Sequence, residues 1–112
     1  MEYLLLIYED EKRFSQGYAQ AELKEYQDFG REHATAIKGG HALQPTRAAT
    51  TVRVRESKRL TTDGPFAETK EQLGGYYLVE AKDLDEATAM AARIPAARNG
   101  SVEVRPIMPT PK

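Results

Sequence analysis

Two short segments are strongly apolar without the alternation of a half-exposed strand. They span residues 3–8 and 76–81. Successive side chains of a strand point to opposite faces, so each of these strands needs cover on both faces of its sheet. A chain of 112 residues holds one modest core and is too short to cover both faces itself. We therefore predict that a second copy covers the face without helices, in a two-fold homodimer.

The first predicted helix runs over residues 19–38. Its apolar positions recur at steps of three and four, which is typical of a helix with one buried stripe. We expect Gly39-Gly40 to end it, because glycine tolerates the left-handed cap conformation. The stripe comprises Leu23, Tyr26, Gly30, His33 and Ile37, with Phe29 and Ala34 beside it.

The rest of the chain alternates between strand and helix patterns. Residues 50–62 have a period of two, which predicts a β-hairpin turning at Glu56 and Ser57. Asp83 and Glu86 form the start signal of a second helix, which Pro95 stops. Its inner stripe is expected to contain Leu84, Ala87, Met90, Ala91 and Ile94, and residues 101–105 alternate as a last strand.

This order of elements predicts the fold class. Right-handed crossovers bring both helices to one face of an antiparallel sheet, as in an α+β ferredoxin-like sandwich. The hairpin is expected to add a strand to that sheet. We assign residues 1–108 to one domain and residues 109–112, which include Pro109 and Pro111, to a C-terminal tail.

A loop between two predicted strands carries the most unusual chemistry of the chain. Gly64 permits a conformation closed to other residues and Pro65 fixes the next φ, while Phe66 is expected to anchor the loop in the core. Carboxylates beside a lysine can act as acid and base or hold a polar ligand; the alternative is an ordinary turn fixed by a Glu68–Lys70 ion pair. The candidate site residues are Asp63 as a catalytic group and Pro65, Phe66, Glu68 and Lys70 as ligand contacts.

Two further side chains are candidates outside the loop. His33 lies in the stripe of the first helix and is a candidate general base; the alternative is a packed, hydrogen-bonded histidine. Tyr76 could orient a ligand through its hydroxyl or pack in the core. The chain has two histidines and no cysteine, so no metal site is predicted.

Composition excludes several classes of protein. Sixteen basic and 17 acidic residues give no strong positive field. The predicted hairpin is rich in arginine and lysine, but no aromatic side chains alternate with them to stack on bases. Nucleic acid is therefore not favoured as a partner. The six-residue apolar run at the N-terminus is too short for a membrane span or a secretion signal. Neither a phosphate-binding glycine loop nor a Gly-x-Ser-x-Gly elbow is present, so no cofactor is predicted. We expect a cytoplasmic protein.

Asp63-Gly64-Pro65-Phe66, with the Ala-Glu-Thr-Lys-Glu run behind it, resembles the signature of DGPF-domain proteins, a branch of the YCII-related family. The resemblance extends to the opening strand, Gly74-Gly75-Tyr76 and the last strand. It implies a dimeric α+β barrel with a cleft between sheet and helices. It also implies a histidine–aspartate pair, whose histidine would fall near Asp28 or Phe29. His33 stands one helical turn away, so the chain departs from that pair, although Asp63 is present.

Three functions are compatible with these features. The first is a small dimeric protein that binds a small polar ligand near the loop, with an acid–base reaction left open. The second is a regulatory partner of an extracytoplasmic-function sigma factor, which the resemblance suggests because DGPF proteins are often encoded beside such factors. The third is that the Asp-Gly-Pro-Phe loop has only a structural role and stabilises the dimer. We favour the first.

Overall fold

The computed structural model describes residues 1–14 and 17–110, and its elements form an α+β fold. Residues 109 and 110 lie outside regular structure, and residues 111 and 112 of the predicted tail lie outside the described residues. None of the helices in the described ranges is long and apolar enough to cross a membrane. The elements are β1 (Glu2–Glu9), α1 (Gln20–Glu32), β2 (Ile37–Ala42), β3 (Thr50–Arg55), β4 (Lys58–Asp63), β5 (Gln72–Glu80), α2 (Leu84–Ala91) and β6 (Ser101–Pro106).

Four strands form the main sheet, in the order β2-β5-β1-β6 with every neighbouring pair antiparallel. The strand that contains residues 3–8 is therefore central, as predicted. This order, with one helix in each crossover, is consistent with a ferredoxin-like fold.

The predicted end of the first helix is wrong. Helix α1 stops at Glu32, His33 caps it, and Ile37–Ala42 forms the edge strand β2. Gly39-Gly40 is thus a strand segment, and a Cβ on Gly40 would lie only 2.7 Å from the Tyr76 carbonyl oxygen on β5. The glycine is needed for close approach of two strands, a use that helix-end reasoning does not detect.

The hairpin forms, but it does not join the main sheet as predicted. Strands β3 and β4 make a separate two-stranded sheet. Glu56 and Ser57 have φ values of 50° and 65°, which confirms the tight turn, since a type I′ turn needs positive φ at both central residues. Of the hairpin's strand residues only Thr51 is half-buried, and the others are exposed.

The core lies between one face of the main sheet and both helices. Along β1, Tyr3, Leu5 and Ile7 are buried, and they join Phe29 of α1 and Met90 of α2 in one apolar cluster. This confirms that both helices cover the same face. The Asp83 cap is also confirmed, because its Oδ1 accepts a hydrogen bond of 2.9 Å from the Glu86 amide; the prediction that Leu84 faces the core is wrong, since it is 54% exposed.

The opposite face of the main sheet has no cover from the residues that the structure describes. Leu4 and Leu6 of β1 pair with Leu78 and Tyr76 of β5 on that face, and all four are only half-buried. The chain exposes 8356 Å² of surface, whereas a compact monomer of this size exposes about 6,200 Å². We call these four residues the outer apolar face.

Candidate functional site

A cavity of about 690 Å³ lies between the first helix and the sheet, within the range that small-molecule sites usually occupy. Its sheet side is bordered by β1, β2 and β5. Its other side is bordered by α1, by the segment that precedes it, and by residues 43–47, which follow β2.

Glycines open this cavity. Gly40 pairs with Tyr77, and Gly75 pairs with both Ala42 and Ile7; both glycines border the cavity. The register of β1 and β5 also shifts beside Gly75, and such a bulge bends the strand locally. Because glycine has no side chain, the sheet there presents backbone instead of bulk to the space beneath α1.

Glu9 is the buried charged residue of the described chain. It ends β1, continues the inward positions of Tyr3, Leu5 and Ile7, and is 4% exposed. It also borders the cavity. A Cβ on Gly100 would lie 3.1 Å from the Glu9 Cγ, so the backbone at Gly100 closes over the side chain.

The Glu9 carboxyl is only partly paired. The Tyr26 hydroxyl donates to its Oε1 at 3.3 Å. The Arg13 guanidinium lies 3.5 Å from its Oε2, but within residues 1–14 and 17–110 no group donates a hydrogen bond to that oxygen. A buried oxygen without a donor costs free energy, because water solvates it in the unfolded chain.

Burial raises the pKa of Glu9 above the ordinary carboxyl value, and the Arg13 charge opposes this rise only in part. The nearby Glu22 carboxylate raises the pKa further. Burial also raises the pKa of the Tyr26 hydroxyl, which keeps that hydroxyl a donor to Glu9. A carboxyl whose pKa is shifted toward neutrality, beside a cavity, has the properties expected of a functional group.

Aromatic rings line the helix side of the cavity beside Glu9. The rings of Phe14 and Tyr18 lie 4.1 Å apart between centroids, and Tyr18 meets Tyr26 edge to face at 6.4 Å. All three residues border the cavity. The arrangement can therefore hold a flat or aliphatic ligand and offer it one buried carboxyl.

Among the described residues, no group of three or more His, Cys, Asp and Glu side chains is arranged to hold a metal ion. Glu11, which also borders the cavity, is engaged in structure. Its carboxylate accepts hydrogen bonds from the Thr46 amide at 2.8 Å and from the Thr46 hydroxyl at 2.7 Å. These two hydrogen bonds hold the segment after β2 against the start of the segment that connects β1 to α1.

The structure keeps the predicted loop residues away from the cavity. Asp63 pairs with Thr50 at the end of the hairpin, and Gly64 has a φ of 99°, the left-handed conformation expected of it. The expectation that Phe66 anchors the loop in the core is wrong, because its side chain is 79% exposed. None of Asp63, Pro65, Phe66, Glu68 and Lys70 borders the cavity, and no ion pair joins Glu68 to Lys70 in the described chain.

His33 and Tyr76 lie in different places. His33 packs its ring 4.6 Å from that of Phe29, with Nδ1 3.1 Å from the Phe29 carbonyl oxygen, and it borders a separate groove between α1 and α2. Tyr76 borders the cavity, opposite His41 of β2. The structure thus brings Tyr76 to the cavity and does not join His33 to Asp63.

Glu9 was absent from the predicted site residues. The apolar run of the first predicted strand ends at residue 8, one position before Glu9. The available signal was the parity of β1, because Tyr3, Leu5, Ile7 and Glu9 are spaced two apart. A strand that buries the first three residues must also turn Glu9 inward if it continues for two more residues.

Replacing Glu9 with Gln tests its burial. Because folding raises the Glu9 pKa, the folded chain retains a proton that the unfolded chain releases as pH rises above the ordinary carboxyl pKa. The free energy of unfolding should therefore fall through that window in the wild type and fall less in Glu9→Gln. We expect the variant to be more stable at pH 8 by on the order of 1 kcal/mol, measured by urea unfolding at pH 4.5 and pH 8.

The matched control is Glu2→Gln, which makes the same change at the exposed start of the same strand and should leave the pH dependence unaltered. A Glu9→Gln variant that is less stable than the wild type at both pH values would contradict the account.

Comparison with known proteins identifies the family of the chain. A family model described as the YCII-related domain matches residues 1–111. The chain is also 40% identical over 114 aligned positions to an uncharacterized protein of Rhizobium meliloti (strain 1021), and the match covers 96% of this chain and 92% of that protein. The extent of these matches shows that the chain belongs to the YCII-related family.

Proposed function

We propose that the protein binds a small molecule in the cavity beneath α1. The observation that carries this proposal is a buried carboxyl, Glu9, that borders a cavity of about 690 Å³ and lacks a donor to one oxygen among the described residues. Binding sites characteristically combine apolar walls with a few convergent polar groups. The aromatic walls and the Glu9–Tyr26 pair fit that description.

The ligand is assigned to this cavity and not to the surroundings of the Asp-Gly-Pro-Phe loop. The loop side chains are mostly exposed, and water weakens electrostatic contacts to an exposed group. A catalytic role for Asp63 or His33 stays a prediction, as does a sigma-factor partner. If the bound molecule reacts, Glu9 is the acid–base group best placed for it, because it borders the cavity and burial raises the pKa of its carboxyl.

Filling the cavity tests this proposal. Ala42 borders the cavity from β2, so Ala42→Phe should occupy part of it and weaken ligand binding about tenfold or more, as a steric block. Chemical-shift changes in a fragment and metabolite screen by NMR would report binding at the residues that line the cavity. Ala92→Phe makes the same change at the exposed end of α2 and should leave binding unchanged.

Two outcomes would contradict the proposal. A ligand whose affinity is the same in the wild type and in Ala42→Phe binds elsewhere, and a screen in which no compound shifts a cavity residue would leave the cavity without a binding role.

We further propose that the functional unit is a homodimer joined through the outer apolar face. Leu4, Leu6, Leu78 and Tyr76 form one continuous patch on a sheet face without cover in the described chain. The total exposed surface exceeds that of a compact monomer by about one third. Burying an apolar sheet face against its own copy is a two-fold arrangement that closes.

A charge on this face should separate the subunits. Leu6→Glu puts a carboxylate into the proposed interface, where desolvation of the charge opposes association. We expect the sedimentation equilibrium mass to fall from twice the chain mass to the chain mass. Leu84→Glu is the matched control, because Leu84 is exposed on α2. A wild-type chain that sediments as a monomer at micromolar concentration would contradict the dimer.

A further inference from the structure

We infer that the ligand of the cavity is an organic cation whose protonated amine binds beside Glu9. This inference rests on the proposed function, since it identifies the ligand class of the same cavity. It depends on the charges around Glu9 and on the rings next to it.

The first argument is the uncompensated charge of Glu9. The Arg13 guanidinium donates through Nη2 to both oxygens of Glu22, at 3.1 Å and 3.3 Å, so it is committed to Glu22. It approaches the Glu9 Oε2 at 3.5 Å without donating a hydrogen bond to it. When Glu9 is ionised, these three groups carry a net charge of −1, and a buried net charge needs a partner.

The hydrogen bonds of the Glu9 carboxyl also favour a cation as ligand. Oε1 of Glu9 already accepts from the Tyr26 hydroxyl, while Oε2 has no donor in the described residues. An ammonium group supplies both a positive charge and up to three donors. Beside the Glu9 carboxyl, such a positive charge stabilises the ionised form over the neutral form.

The second argument is the aromatic wall. Phe14, Tyr18 and Tyr26 border the cavity on the side of Glu9, and the Arg13 guanidinium already lies 4.7 Å from the centroid of the Phe14 ring. Aromatic faces attract cations through their quadrupole, and aromatic cages recognise ammonium ligands in this way. A carboxylate and several rings at one cavity favour a cation over a neutral or anionic ligand.

Other charged groups border the cavity and define the competing possibility. Lys12 and Arg47 are exposed, so water and salt screen them, but they would attract an anion to the rim. His41 also borders the cavity, from β2. Burial raises the pKa of Tyr18, a further titratable group near Glu9.

Three probes of similar size and different charge test the inference. They are 2-phenylethylamine, 2-phenylethanol and phenylacetate, titrated into the full chain and followed by NMR chemical shifts. We expect the amine to bind about tenfold or more tightly than the alcohol, because a charged hydrogen bond to a buried carboxylate is stronger than a neutral one. Glu9→Gln should weaken amine binding by about 10- to 100-fold and alter alcohol binding little.

The dependence on pH gives a second readout. Because the cation requires ionised Glu9 and burial raises the Glu9 pKa, amine affinity should increase as pH rises from 5 to 8. This increase should disappear in Glu9→Gln and persist in His41→Gln, which removes the histidine that borders the cavity. Urea unfolding of each variant confirms that it remains folded.

The results that overturn the inference differ from those that overturn the proposed function. Equal affinity for amine and alcohol, tighter binding of phenylacetate, or no binding of any probe would reject the cation. A cavity ligand sensitive to Ala42→Phe would still support the proposed function in each of these cases. Amine binding that is unchanged by Ala42→Phe would reject both.

Discussion

The alternation of side chains along β1 determines most of what this protein can do. Tyr3, Leu5 and Ile7 must face the helices to form the core, and the same alternation turns Glu9 inward at the end of the strand. The strand therefore carries a carboxylate to the boundary of the core. The price of that position is a buried oxygen without a hydrogen-bond donor in the described chain, and the cavity beside it makes a ligand the natural partner.

The cavity depends on residues that carry no side chain. Gly40 and Gly75 lie on neighbouring strands and let β2 and β5 approach closely, while leaving space beneath α1. The chain is flat, with extents of 46 × 46 × 18 Å. The flat shape arises because no described element packs on the outer apolar face and because the hairpin forms a sheet of its own. The cavity and the outer apolar face meet at Tyr76, which borders the cavity and also belongs to that face.

Much of the fold could be predicted from the sequence, and the errors have physical causes. The central strand, the hairpin turn and the Asp83 cap follow from local patterns, and all three are confirmed. The first helix is predicted to run to residue 38 because Gly39-Gly40 is typical of a cap, whereas these glycines lie in β2 and serve its contacts with β5, which is distant in sequence. The site was harder to predict, because the charged motif of the sequence lies in residues 63–70, whereas the significance of Glu9 depends on its burial by α1 and Gly100.

The central claim is that Glu9 is a buried, incompletely paired carboxyl at a ligand cavity. The most direct measurement is a pH titration of its side-chain carboxyl carbon by ¹³C NMR, without ligand and with a saturating organic amine. We expect a Glu9 pKa above that of an exposed glutamate in the free protein, as its burial requires, and a lower pKa when the amine is bound. A pKa at or below the ordinary value in the free protein would contradict this claim.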